Sequence, residues 1–202
     1  MIIEQSFKQH DPEWFDAKLD SIGGTRTKNY ITSTGKPSKS KIKYLYKKAS
    51  EHITRRTKPI YPSYDMKWGT EFEPEAREVF SMVHGVEIEE CAMIFDTDKR
   101  RSHVSPDGFN QKVKFGLEIK CPMLETHDGY LKEPELPIEY ILQVQKGLAI
   151  TGWNRWWFMS YFPGVEPLFI PIDRDEVLIK KIKIETILFL NDLDKLITRL
   201  KG

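Results

Sequence analysis

The chain has 202 residues, 40% of them apolar and 30% charged, with a net charge of +1. This suits one ordinary domain with a real core, and it excludes a disordered chain or a polyanion binder working through net charge alone. Cys91 and Cys121 are the two cysteines and form no CxxC pair, which excludes a zinc knuckle or four-cysteine cluster within one chain and fits a reduced, cytoplasmic protein.

Taken in chain order, residues 11–20 read as a short helix, with Asp11 as N-cap and Pro12 in the first turn. The N-terminal Met1-Ile2-Ile3-Glu4-Gln5 lacks the basic start and long apolar stretch of a secretory signal, and no apolar run is long enough to span a bilayer. No membrane partner is therefore expected. Gly23-Gly24-Thr25 makes a tight turn, residues 33–40 a loop, and residues 41–56 a basic helix. Residues 70–84 form a helix, with Phe72, Ala76, Val79, Phe80 and Val83 on one face and Gly85 ending it. Strands are expected over 86–95, 102–109 and 114–121. Residues 122–137, punctuated by proline, read as an irregular excursion. A helix over 138–151, strands over 154–162 and 167–172 and a C-terminal helix from about 174 to 200 complete the chain. The order defines an α/β (α+β) domain with a central mixed β-sheet flanked by helices.

Charge is unevenly spread. From Lys36 to Lys58 there are nine Lys/Arg and one acid, Glu51, and Lys99-Arg100-Arg101 forms a second basic cluster. A solvated helix face and a phosphate-tracking surface are both compatible with this.

The most informative residues are Glu118-Ile119-Lys120, with Asp107 eleven positions earlier in Ser105-Pro106-Asp107-Gly108. On a strand, Glu118 and Lys120 point to one face, and the spacing suits a hairpin that brings Glu118 beside Asp107. Two carboxylates there would bind a hard divalent cation, and an adjacent lysine could hold an attacking water or a phosphate, the parts that phosphodiester hydrolysis requires. The bland alternatives are a turn aspartate before Gly108 and a Glu118–Lys120 contact on a solvated face. Apolar neighbours of Glu118 weigh against the second, because a strand interior seldom accepts an unpartnered carboxylate. Thr70-x-x-Glu73 matches a capping box with Pro74 in the first turn, and Glu73 could equally reach a metal pocket from that exposed helix start. Gln143 and Gln145 interrupt an apolar helix, as buried structural amides or as a group orienting a water. The aromatic run from Trp153 to Tyr161 reads as sheet core rather than a base-stacking platform. His84, His103 and His127 have no ligand spacing, and triad chemistry is unsupported.

Asp107, then Glu118-x-Lys120 on the next strand, with the upstream Glu73, is the signature of the PD-(D/E)xK nuclease superfamily. Longer segments resemble one branch, the phage lambda exonuclease-type viral recombinases. These are Lys67-Trp68-Gly69 through Glu73, Ala76-Arg77 and Phe80, Ser105-Pro106-Asp107-Gly108, Gly116 to Pro122, Tyr140 to Gln145, Trp157-Phe158 to Tyr161-x-Pro163, and Ile172 to Glu176. The resemblance implies a restriction-endonuclease-like core and a single nuclease domain over residues 1–202. Within it, 1–60 would be a helical and basic segment, 61–173 the nuclease core and 174–200 a C-terminal helix. It implies a 5′-to-3′ exonuclease acting on linear double-stranded DNA ends and leaving 3′ single-stranded overhangs for recombination. Two Mg²⁺ ions, replaceable by Mn²⁺, are implied, with Asp107, Glu118, the Ile119 carbonyl and Glu73 as ligands. Lys120 and Gln145 would attend the nucleophilic water, and Lys18, Thr25 and Ser105 would bind the 5′-phosphate. Lys18 and Thr25 depart from the arginine and serine usual in the family; lysine keeps the charge but loses the bidentate fork. A homotrimeric ring and a single-strand annealing partner are also implied. The rival readings are an endonuclease or nickase on the same core, and a non-catalytic DNA-end-binding accessory protein.

Overall fold

The computed structural model describes residues 1–57 and 61–202. Lys58, the last cation of the basic run, lies outside the described residues. In chain order the elements are β1 (Ile2–Glu4), α1 (Pro12–Leu19), β2 (Ile22–Gly23), a 3-10 helix (Gly24–Asn29), α2 (Lys41–Thr54), α3 (Tyr64–His84), β3 (Met93–Phe95), β4 (Ser102–Val104), β5 (Gly108–Asn110), β6 (Phe115–Lys120), α4 (Leu124–Lys132), α5 (Ile138–Thr151), β7 (Arg155–Ser160), β8 (Leu168–Asp173) and α6 (Glu176–Lys201).

The expected mixed α+β architecture is present, but the single central sheet is replaced by two mixed four-stranded sheets. One runs β1-β3-β4-β2 and the other β5-β6-β7-β8. The expected strand 102–109 is split between them, because Pro106 cannot donate to a ladder and Ser105-Pro106-Asp107 carries the chain from one sheet to the other. In the second sheet β5 and β6 are antiparallel, β6 and β7 parallel, and β7 and β8 antiparallel. The parallel pair needs a long crossover, which α4 and α5 supply. Residues 122–137 are thus not wholly irregular: α4 forms between Pro122 and Pro134.

Strand parity sets the two faces of the second sheet. Phe115, Leu117 and Ile119 of β6, with Met159 and Tyr161 at β7, pack against Ala76 and Phe80 of α3. Trp156 and Phe158 of β7 face the other way, onto Val144 and Leu148 of α5. Glu118 is in register with Phe158, so Gly116, Glu118 and Lys120 share the α5 face. Gly116 and Gly147 are small for one reason: a Cβ on either would lie 2.5 Å from the buried Trp156 ring. The aromatic run is core, as its burial shows for Trp153, Trp156, Phe158 and Tyr161.

A further cluster joins Ile22, Tyr30, Tyr44 and Leu45 to Leu142 and to Ile182 and Phe189 of α6. Four cations of the basic run are paired or buried. Lys41 pairs with Glu185 and Asp192, Lys47 with Glu51, and Arg55 with Asp20, while Lys48 is buried and donates to the carbonyls of Lys18 and Leu19. Arg100 pairs with Glu4 and Arg101 with Asp194. Among the described residues, no helix is long and apolar enough to cross a membrane.

Candidate nuclease site

The hairpin of β5 and β6 brings Asp107 to the end of β6. The Asp107 backbone N–H donates to the Leu117 carbonyl at 3.0 Å, and its Oδ2 accepts from the Ile119 N–H at 2.7 Å. Glu118, in the interior of β6, is 2% exposed. A carboxylate so placed and unpaired would cost several kcal/mol. It is offset by two donors: the Gln143 amide donates to Oε2 at 2.5 Å, and the Lys120 ammonium contacts Oε1. Lys120 also donates to the Ile119 carbonyl at 2.8 Å and lies 3.6 Å from Asp107 Oδ2. The Glu118–Lys120 contact of the bland alternative therefore exists, but in a buried setting rather than on a solvated face.

Asp107, Glu118 and the Ile119 carbonyl all turn their oxygens onto one positive centre, the Lys120 ammonium. That convergence is a fit test for a hard cation, because the ammonium stands where three oxygen donors meet. No group of three His, Cys, Asp or Glu is assembled tightly enough among the described residues to form a ligand set by itself. The donor set is instead two carboxylates and a carbonyl, with Glu73 alongside.

Glu73 lies in the interior of α3, which starts at Tyr64 with Ser63 as N-cap, so the capping-box reading is corrected. Thr70 donates to the Met66 carbonyl instead, and Pro74 sits inside the helix. Arg77, one turn on, donates to Glu73 Oε1 at 2.8 Å. Burial raises Glu73 to about 7, and the nearby Asp107 charge adds to this against the opposing pull of Arg77 and Lys120. Burial likewise raises Glu118 to about 7, with Lys120 opposing and Asp107 reinforcing. For Lys120, burial favours the neutral amine, but the two flanking carboxylates outweigh it and hold the ammonium charged. The site is an excess of buried negative charge around one lysine.

Gln145 is not in this group. Its amide donates to the Asp173 carbonyl at 2.9 Å and its oxygen accepts from the Asp175 N–H at 3.0 Å, so it ties α5 to the start of α6. Gln143, two residues earlier, is the glutamine that reaches Glu118. At 100° per residue the two point roughly 200° apart, so only one can face the site. The sequence singled out both but carried no signal for the helix phase, because Leu142 and every residue from Val144 to Leu148 are buried.

A second group lies beside the first. Trp14 donates from its indole to Ser105 Oγ at 3.2 Å, and the Lys18 ammonium lies 2.8 Å from the Trp14 ring centroid. The 3-10 helix packs Gly24 against Val104 and Gln143, which sets the exposed Thr25 and the half-buried Ser105 each one residue beyond that contact. Lys18 is lowered to about 7, first by burial and then by repulsion from Arg26 and Lys48. The lysine crowded by two cations is a site that an anion would relieve. Arg26 belongs to this positive group and was not singled out by the sequence; only its place in the fold shows it.

This fold, with an acid pair and lysine on adjoining strands, is of the PD-(D/E)xK type. Residues 13–154 match the YqaJ-like viral recombinase domain, and the chain belongs to that family. It is similar in structure to an alkaline exonuclease, LHK-Exo, from Laribacter hongkongensis, with a TM-score of 0.84 and 29% identity over 95% of this chain and 96% of that one. The structure of LHK-Exo in complex with dAMP matches with a TM-score of 0.82, again at 29% identity over 95% of this chain and 96% of that one. A phage related exonuclease from Haemophilus somnus 129PT shares the fold, with a TM-score of 0.70 and 14% identity over 89% of this chain and 96% of that one. No curated protein sequence matches the chain.

Proposed function

We propose that the protein is a divalent-metal-dependent 5′-to-3′ exonuclease that digests one strand of linear double-stranded DNA and leaves a 3′ single-stranded overhang. Membership of a viral recombinase family and the likeness to an alkaline exonuclease support a deoxyribonuclease. The observation that carries the reading is the convergence of Asp107, Glu118 and the Ile119 carbonyl on the Lys120 ammonium.

Asp107, Glu118 and the Ile119 carbonyl are the residues that would hold a cation, and Glu73 is the remaining carboxylate for a second ion, Mg²⁺ in both cases with Mn²⁺ as substitute. Bound there, such ions acidify a water and neutralise charge on the reacting phosphate. The chain's own part is positional. Gln143 fixes one Glu118 oxygen and leaves the other turned to the site. Lys120 supplies an ammonium that would orient the attacking water and offset the charge developing on phosphorus. Lys18, Thr25 and Ser105 would hold the terminal 5′-phosphate, with Arg26 adding positive potential. Release of a 5′-mononucleotide accords with a relative having been solved with dAMP.

The proposal takes residues 1–202 as one nuclease domain working in the cytoplasm, as a homotrimeric ring, with a single-strand annealing protein taking up the overhang. Timed digestion of linear duplexes labelled at either end, with and without a 5′-phosphate, in Mg²⁺ and in EDTA, tests it. Label should leave the 5′-phosphorylated end first, in Mg²⁺ only, and covalently closed plasmid should stay uncut. Cutting of closed plasmid would convert the assignment to an endonuclease or nickase; DNA binding with no nucleotide release would convert it to an accessory protein.

A further inference from the structure

Arg77 bonds to three separate segments. Its Nε donates to the Asp107 carbonyl at 2.8 Å, one terminal nitrogen donates to Glu73 Oε1 at 2.8 Å, and the other lies 3.1 Å from Glu90 Oε2. The side chain is 14% exposed. Arg77 thus ties its own helix to the turn that enters β5 and to the segment that precedes β3.

The two carboxylates it spans are not equally fixed. Asp107 is held by β6 through both its backbone N–H and its Oδ2. Glu73 has no side-chain hydrogen bond other than that from Arg77 among the described residues. The backbone ladder of α3 is also one bond short beside it. Pro74 follows it, and a proline inside a helix leaves the carbonyl four residues earlier, that of Thr70, without its donor. The place of the Glu73 carboxylate is therefore set from the side-chain end, by the guanidinium.

We propose that Arg77 is a positioning residue that, by bridging Glu73 to the Asp107 backbone, holds the α3 carboxylate at the cation site and so sets that site's affinity for divalent cations. The inference rests on the reading of Asp107, Glu118, Ile119 and Glu73 as cation ligands. Charge and position make opposite demands here. A guanidinium so close to the site repels a cation, so if charge ruled, Arg77→Met would tighten binding and Arg77→Lys would leave it unchanged. If position rules, both variants weaken it, because lysine keeps the charge but cannot hold a carbonyl and a carboxylate in one planar fork.

The test is calorimetric titration of Mn²⁺ into the full chain without DNA, for the wild type, Arg77→Lys, Arg77→Met, Glu73→Gln and the double variant Arg77→Lys/Glu73→Gln. The fitted Kd belongs to the folded molecules, and any unfolded fraction shows in the stoichiometry. Both Arg77 variants should weaken Mn²⁺ binding by about tenfold or more, the scale of lost partners behind metal ligands. The double variant should be no weaker than Glu73→Gln alone. Unchanged or tighter binding by either Arg77 variant, or a double variant weaker than Glu73→Gln, overturns the inference while leaving the cation site. Failure of the wild type to bind Mn²⁺ removes the site reading, and the inference with it.

Discussion

Lys18 shows how a single side chain can be costly to the fold. Burial and the neighbouring cations Arg26 and Lys48 lower it from 10.5 to about 7, against the favourable contact with the Trp14 ring. The unfolded chain then binds more protons than the folded one between those values, so stability rises with pH across that window. The penalty is complete below about 7 and gone above 10.5. Lys18→Met should thus stabilise the DNA-free protein by roughly 1–3 kcal/mol at acidic pH, after the lost ring contact is subtracted. Urea unfolding from acidic to strongly alkaline pH should show that gain fading, and a pH-independent gain would contradict it. The same variant should lose preference for 5′-phosphorylated ends. The two glutamines divide in a parallel way. Gln143→Ala should lower the rate of nucleotide release at least tenfold, since it removes a donor to Glu118, and should also cost about 1–3 kcal/mol of stability because the buried carboxylate loses that partner. Gln145→Ala should cost about 1–3 kcal/mol of stability, because it strips partners from the Asp173 carbonyl and the Asp175 N–H. Equal effects of both on activity would undo the assignment. Glu118 and Lys120 were legible from parity alone, because a strand offers only two faces. A helix buried around most of its circumference offers no such reading, which is why the choice between Gln143 and Gln145 needed the fold.

Elements with a clear hydrophobic period were legible in the sequence, and elements made by pairing were not. The helices over 41–54 and 138–151 and the strand over 115–120 fall within two residues of expectation at each end. β1 and β2 are short and gain their definition only from β3 and β4, so nothing local marks them. The division of 102–109 into strands of two sheets follows from Pro106, a signal present in the sequence. α3 begins six residues before the expected start because Ser63, whose hydroxyl accepts from the Met66 N–H, caps it, and Gly69, Thr70 and Pro74 are tolerated inside. At the element scale the packing of α5 on β7 gives a sign that helix propensity alone gets wrong. Gly147→Ala would ordinarily gain up to about 1 kcal/mol in a helix interior. Here the new methyl meets the Trp156 ring at 2.5 Å, and that ring is 2% exposed and cannot withdraw. A net loss of about 1–3 kcal/mol is expected in chemical denaturation, as for other overpacked cores, and a gain would contradict the packing.

Across the whole molecule, chemistry gathers at one end of β6, while an open groove of about 570 Å³, lined by Phe80, His84, Phe115, Trp153 and Arg155 among others, lies toward the other end of that strand. The acidic site and the Lys18 group meet where the two sheets join, at Ser105-Pro106-Asp107. That juxtaposition was legible only through the family resemblance, since α1 and β5 are distant in sequence and no periodicity relates them. Everything turns on whether the Lys120 ammonium serves the reaction or merely neutralises its acidic neighbours. The direct measurement is nucleotide release from a 5′-phosphorylated linear duplex in Mg²⁺ by the wild type and by Lys120→Ala, with DNA binding followed in parallel. Release is expected from the wild type and none from the variant, with near-equal affinity for DNA. Turnover by Lys120→Ala at the wild-type rate would contradict it.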